Sequence, residues 1–340
     1  MFGAGAVGGL VGGALAAAGE RVTFLVRPAA AKHIRSNGIR ITGAMGSLRV
    51  PAPHVATDLP SALSESPCDL IILAVKSFHT EAAIRSLQSA GPPTPPILCL
   101  QNGVDNEKLL ADAFGEDRVI HGTMTTAVSS PEAGTVMVER ERGVGIGSGN
   151  PLSTKLLQTF SAAGFHTLLY PSPLAMKWSK LLTNLVANAS AAICDISPAA
   201  VFANDRLFQL EITALRETLA VMQGMHLPVI RLPGTPSHWL GFVIRRLPTW
   251  SYRSVMAHKV ARGRGSKPPS LHVDLVAQRG RSEVDFLNGA VARHANTLGL
   301  AAPVNSGLAQ LLGELVSGET AWEHYRANPD RLADQLLSGN

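Results

Sequence analysis

Lys180, Asn184 and Asn188 stand four residues apart in Met176–Ala192, a stretch with no Pro or Gly. Leu181, Leu182, Leu185, Val186 and Ala189 recur at helical spacing, which predicts one helix over 176–192. Residues four apart then stack along one side of that helix. A merely solvated side would normally mix charges of both signs. This one carries a single cation followed by two amides. An ammonium can stabilise an oxygen that is gaining negative charge and then hand it a proton. Amides donate and accept, which suits a carboxylate or a hydroxyl. On these residues alone, a donor row facing a wet cavity stands beside the plainer reading of a short solvated stripe.

A second chemical signature opens the chain. Gly3-Ala4-Gly5-Ala6-Val7-Gly8 is a GxGxxG pattern leading into a small-residue helix over 9–19. Such glycines allow a tight turn and a close approach of backbone N–H groups to a pyrophosphate. Arg21–Val26 reads as the next strand, about 20 residues after the loop, where a ribose-reading residue belongs. Arg27 is found there in place of Asp or Glu. An arginine accommodates a 2′-phosphate, so the expected cofactor is NADP(H), with Lys32 and Arg35 adding charge nearby. The alternative for Arg27 is a solvated strand-end residue. Lys76 follows the apolar run Asp69–Val75, and Asn102 follows Ile97–Leu100 within Gln101-Asn102-Gly103. Both sit at carboxyl ends of expected parallel strands, where ligands bind in open α/β sheets. Asn-Gly is also an ordinary turn signal. Glu283 lies in Ser282-Glu283-Val284-Asp285, where Ser282 can cap a helix expected to run to about Leu298. There Glu283 could be no more than an acid favoured by the helix dipole.

The elements that must position these groups divide the chain. Its 340 residues exceed one ordinary core, and 46% hydrophobic residues indicate buried globular domains. Residues 1–170 alternate strands and helices, with a hairpin or edge strand at Ile39–Val50 and antiparallel character over Thr123–Gly147. Residues 171–340 read as helical, with a polar tail. The strand before the first glycine is reduced to Met1 and Phe2, although in a doubly wound sheet that strand is central. We read this as a truncated first strand and expect the natural chain to begin upstream.

Composition excludes several classes. A net charge of +5 suits an anionic ligand and falls short of an argument for nucleic acid. Residues 226–270 mix Trp239 and Trp250 with Arg245, Arg246, Arg253, Lys259, Arg262, Arg264 and Lys267. A lid or subunit contact is preferred there over nucleic-acid binding. Cys68, Cys99 and Cys194 are scattered and show no metal-ligand spacing. Their sparse, odd count points to a reducing, cytoplasmic setting without disulfides. No basic leader and no run of about 20 apolar residues argues for a signal peptide or a membrane span.

Taken in order, GxGxxG, the strand ending at Arg27, Ala74-Val75-Lys76, Gln101-Asn102-Gly103, the pattern from Trp178 through Lys180 and Asn184 to Asn188, and Ser282–Gly289 resemble the ketopantoate reductase family over nearly the whole chain. The resemblance implies an N-terminal Rossmann domain and an all-helical C-terminal domain like that of 6-phosphogluconate dehydrogenase. It implies an oxidoreductase that reduces 2-dehydropantoate to (R)-pantoate with NADPH, a step of pantothenate biosynthesis. Under it, Gly3, Gly5 and Gly8 hold the pyrophosphate, and Arg27 and Lys76 contact the 2′-phosphate. Asn102 touches cofactor and substrate. Lys180 is the catalytic acid, Asn184, Asn188 and Ser270 bind substrate, and Glu283 completes the site. The partner is a small 2-oxo acid, no metal is needed, and a homodimer is compatible. Two competing readings share the residues: the same machinery acting on another 2-oxo acid, and an NADP-binding protein without turnover.

Overall fold

A computed structural model of the chain describes residues 1–64, 67–263, 269–278 and 280–337, with 258–263 described as backbone only. The chain divides into two compact units. The first comprises Met1–Gln101, Asp105–Lys177 and Leu232–Thr235; the second comprises Asn102–Val104, Trp178–Arg231 and Pro236–Asn340.

The first unit is α/β. Its strands are β1 (Thr23–Leu25), β2 (Ile39–Gly43), β3 (Leu48–Val50), β4 (His54–Ala56), β5 (Ile71–Leu73), β6 (Ile97–Cys99), β7 (Val119–Met124), β8 (Ala127–Glu132), β9 (Thr135–Arg140), β10 (Val144–Gly147) and β11 (Thr167–Tyr170). Its helices are α1 (Ala6–Ala17), α2 (Pro28–Asn37), α3 (Leu59–Ser64), α4 (Thr80–Ser89), α5 (Asn106–Phe114) and α6 (Ser153–Ala162). The main sheet runs β4-β1 on one side and β5-β6-β7-β10-β11 on the other. Phe2 joins the two halves, bridging in parallel to Leu25 and to Leu73. Phe2 N–H donates to the Ile72 carbonyl at 2.8 Å, and Leu25 N–H donates to the Met1 carbonyl at 2.9 Å. Met1 and Phe2 thus lie between β1 and β5, giving the strand order of a doubly wound Rossmann-type sheet. Strands β5 and β6 are buried throughout, which explains their uninterrupted apolar sequence.

A second sheet, β3-β2-β9-β8, includes the expected hairpin β2–β3. Helix α1 lies between the two sheets and is apolar all round for that reason. A side chain at Gly12 would run into Phe24 of the main sheet, whereas one at Gly9 or Gly13 would meet Val136 or Ile41 of the second.

In the second unit the described residues form helices and no paired strands. They are the later part of α7 (Pro173–Leu185), then α8 (Ala189–Cys194), α9 (Pro198–Ala203), α10 (Asp205–Gly224), α11 (Ser237–Arg246), α12 (Thr249–Gly263), α13 (Ser270–Val276), α14 (Asn288–Thr297), α15 (Pro303–Ser317) and α16 (Pro329–Leu337). Helix α10 packs against α9, α11, α14, α15 and α16. Glu217 on α10 accepts from the backbone N–H groups of Val304 and Asn305, both at 2.9 Å, and so caps α15.

Three local expectations change. The helix over 176–192 breaks at 186–188, with Ala187 at φ 43°. The helix expected from Glu283 begins as a 3-10 turn over Glu283–Phe286 before α14, although Ser282 Oγ does accept from Val284 N–H at 3.2 Å. The polar tail contains α16, whose Leu332 and Ala333 are buried; their helical spacing was hidden by charged neighbours.

Candidate functional site

The glycine loop has the shape of a phosphate cradle. Gly3 has φ +94°, and a Cβ there would lie 2.8 Å from Val75 Cγ1. A Cβ on Gly8 would strike the Gly3 carbonyl. Gly5 differs: it precedes α1, is exposed, and a Cβ there meets nothing within 4 Å. The first and third glycines are therefore required by the fold, whereas the space over the second is open. Helix α1 has no side-chain cap and no acidic residue in its first turn, so its N–H groups suit an anion. These features fit the pyrophosphate of a dinucleotide. Arg27 is exposed at the carboxyl end of β1, and Lys76 is half-buried just beyond β5. Among the described residues, no cluster of His, Cys, Asp and Glu is placed to hold a metal ion.

Lys177, which the sequence reading passed over, is the buried lysine of the first unit. It and Glu107 are each 2% exposed and pair at 2.7 Å. Its Nζ also donates to the carbonyls of Gln101 at 2.7 Å and Gly122 at 3.3 Å. Burial alone would lower its pKa, but the Glu107 carboxylate outweighs this and holds it above the ordinary lysine value. The Gln101 side chain in turn donates to the Val75 carbonyl at 3.1 Å and to Thr80 Oγ1 at 2.9 Å. The backbone just before Asn102 is thus pinned to the carboxyl end of β5, beside Lys76.

In the second unit, five residues singled out from sequence form one hydrogen-bonded network. Lys180 Nζ donates to Asn184 Oδ1 at 2.8 Å, and Asn184 Nδ2 donates to Asn102 Oδ1 at 3.1 Å. Asn188 Nδ2 donates to the Asn184 carbonyl at 3.0 Å and to Ser270 Oγ at 3.2 Å. Asn188 Oδ1 accepts from Leu271 N–H at 3.3 Å. The row is half-buried along Lys180 and Asn184 and buried at Asn188. The reading of a solvated stripe is therefore set aside. Asn188 engages both its amide donors within the chain, so it also fixes Ser270. Glu283 is 2% exposed, and its backbone N–H donates to Asp274 Oδ2 at 3.1 Å on α13, the helix that Ser270 begins. Helix α13 is braced a second time where His272 Nε2 meets Asp195 Oδ1 at 2.7 Å.

The helix break that shapes this row has a specific cause. Glu211 of α10, 2% exposed, accepts from Ala187 N–H at 2.7 Å and from Ser190 Oγ. A buried acceptor at that level captures an N–H that a continuous helix would have spent internally. The sequence did carry a signal: Glu211 falls on the apolar stripe of α10 with Leu207, Ala214, Leu215 and Thr218. Arg245 donates to the Leu219 carbonyl at 2.9 Å, and Arg253 pairs with Asp205 and lies over the Phe208 ring. These two basic residues of 226–270 support the fold. The side chains of Lys259 and Arg262, together with Arg264 and Lys267, lie outside the described residues.

Comparison with known proteins identifies the family. Residues 1–151 match the family model described as "Ketopantoate reductase PanE/ApbA", and residues 174–316 match its "C terminal" model. The chain belongs to the ketopantoate reductase family. It is 31% identical to the 2-dehydropantoate 2-reductase of Halobacterium salinarum, over 91% of this chain and 96% of that protein. It is 29% identical to that of Pyrococcus horikoshii, over 90% and 93%. Among solved structures, a family ketopantoate reductase from Ralstonia eutropha aligns with a TM-score of 0.77 at 25% identity, covering 94% of this chain and 99% of that one. A ternary structure of D-mandelate dehydrogenase with NADH and anilino(oxo)acetate shares the fold, with a TM-score of 0.75 at 20% identity over 94% and 99%.

Removing one partner of a buried ion pair leaves an uncompensated charge and costs roughly 3–5 kcal/mol. Lys177→Met is expected to lower unfolding free energy by that order in urea titrations, and Lys177→Met combined with Glu107→Leu to recover most of it. A loss below about 1 kcal/mol for the single variant would remove the pair from the account.

Proposed function

We propose that this protein reduces 2-dehydropantoate to (R)-pantoate with NADPH. The observation that carries the reading is the network joining Lys180, Asn184, Asn102, Asn188 and Ser270. The curated relatives that match over nine-tenths of the chain support the choice of substrate. Arg27, standing where an acid would read an unphosphorylated ribose, supports NADPH over NADH. Lys76 adds a second cation beyond the neighbouring strand end.

A nicotinamide cofactor held at the Gly3–Gly8 loop would supply the hydride for the ketone carbon, and the carbonyl oxygen would then gain negative charge. The chain's part is to bind, orient and protonate. Lys180 meets the ketone oxygen, stabilises the charge that grows there, and transfers a proton from Nζ to complete the hydroxyl. Asn184 aims that ammonium: its oxygen faces Lys180 and its nitrogen faces Asn102, so the amide has one consistent orientation. Asn102 and Asn184 offer amides, and Ser270 a hydroxyl, of the kind that bind a carboxylate and a substrate hydroxyl; Asn188, expected from sequence to bind substrate, spends its amide within the chain and acts by holding Ser270. Glu283, buried and tied through its backbone to α13, is the carboxylate we assign to hold the lysine or a substrate hydroxyl in place.

The test is a panel of 2-oxo acids with NADPH oxidation as readout. It includes 2-dehydropantoate, smaller branched acids and an aromatic 2-oxo acid. 2-Dehydropantoate is expected to give the highest kcat/KM. A higher value for another acid would keep the chemistry and change the substrate, and no turnover with any would favour a non-catalytic NADP-binding protein. Lys180→Ala is expected to lower kcat by roughly 10²–10⁴-fold while NADPH still binds. Unchanged turnover would remove Lys180 from the mechanism.

A further inference from the structure

Ser270 begins α13, a helix of seven residues. A helix that short closes about three internal hydrogen bonds, so its neighbours rather than its own backbone decide how it sits. Residues four apart share one side of a helix, and successive residues turn by about 100°. Ser270 and Asp274 therefore face one way, and His272, midway between them, faces nearly opposite. The first side serves the site. Ser270 Oγ accepts from Asn188 Nδ2 at 3.2 Å, and Asp274 Oδ2 accepts from the Glu283 N–H at 3.1 Å. The proposed function gives the side of His272 no task.

That side is nevertheless firmly held. His272 Nε2 meets Asp195 Oδ1 at 2.7 Å. Asp195 ends α8 in the left-handed region, at φ 52° and ψ 44°. Asp tolerates that backbone better than most residues because its carboxylate can bond to the adjoining backbone. Here both oxygens reach across the chain instead. Oδ2 accepts from Arg326 Nε at 2.9 Å and pairs with Nη2 at 2.7 Å. Partial burial works to raise the Asp195 pKa, but the hydrogen bonds from His272 and Arg326 outweigh it and keep the carboxylate below its ordinary value. Trp322 closes the cluster. Its ring stands edge-on to His272 with centroids 5.8 Å apart, and the Arg326 guanidinium lies 4.8 Å from its centroid. Trp322 Nε1 donates to the Ile193 carbonyl at 2.8 Å, and Ala327 N–H donates to the Cys194 carbonyl at 2.7 Å. Two carbonyls left open at the end of α8 are satisfied in this way.

We propose that His272 is a positioning residue: anchored on Asp195, with Arg326 and Trp322 behind it, it fixes the rotation of α13 that presents the Ser270 hydroxyl to the 2-oxo acid. This rests on the proposed binding of substrate by Ser270. Asn188 precedes α8 and holds one side of α13; Asp195 follows α8 and holds the other. One contact alone sets where α13 sits, and the second sets which way it is turned. Loss of the His272 contact turns Ser270 and Asp274 together, because they share a side. The segment Trp322–Ala327 thereby acts on substrate binding through α13.

The test uses the full chain with saturating NADPH and the 2-oxo acid that it turns over best. His272→Ala is expected to raise KM for the acid about tenfold and to leave kcat within about twofold, because Lys180 and Asn184 lie on α7. His272→Gln keeps an amide that can donate to Asp195 and is expected to recover most of the KM. Arg326→Gln, at an exposed site, is expected to raise KM in the same direction by less, and it carries the prediction should His272→Ala fail to fold. In a Ser270→Ala background, His272→Ala is expected to add little. Additive losses, or a fall in kcat at constant KM, would overturn the proposal. A second readout needs no turnover: amide hydrogen exchange over 269–276 is expected to quicken about tenfold in His272→Ala while α10 keeps its protection. Unchanged exchange there would overturn the proposal as well. If the unaltered chain turns over no 2-oxo acid, the proposed reaction fails, and the exchange result still decides whether His272 holds α13.

Discussion

An ammonium that is to stabilise an alkoxide must be held out of bulk water without being neutralised, and its proton must remain transferable. A neutral acceptor orients such an ammonium and leaves its proton transferable. Asn184 Oδ1, at 2.8 Å from Lys180 Nζ, is such an acceptor, and its own orientation is set by Asn102. Much of the second unit serves to hold this geometry. The break between α7 and α8 sets Asn188 relative to Asn184, and Glu211 captures the backbone N–H that the break releases. Asn188 then carries the constraint to Ser270 and α13, and Asp274 carries it on to the backbone of Glu283.

The first unit meets a different constraint: backbone must approach an anion closely. Two glycines are demanded by contact with Val75 and with the Gly3 carbonyl, and the space over the exposed one is left open. Small residues along α1 let two sheets close on it.

Much of this was legible in the sequence because it is local. The glycine pattern, the apolar runs of β5 and β6, and the row at 180, 184 and 188 each follow from spacing within one element. The Ser282 cap was legible for the same reason. What the sequence hid depends on partners distant along the chain. No Pro or Gly marks the break at Ala187, because its cause, Glu211, lies 24 residues away. Lys177 carries no local signal, since its partner Glu107 and the Gln101 carbonyl come from another part of the chain. The link from Asn184 to Asn102 likewise spans 82 residues. Motif order could nominate both asparagines, but only the fold could join them.

The central claim is that Lys180 and Asn184 act as one unit on the ketone oxygen. A double-mutant cycle in kcat tests it most directly, using Lys180→Ala, Asn184→Ala and the pair with saturating NADPH and the best 2-oxo acid. The account predicts strong non-additivity: Asn184→Ala lowers kcat markedly in the unmodified chain and has little further effect once Lys180 is gone. Additive losses would show that Asn184 contributes without aiming the lysine, and would contradict the account.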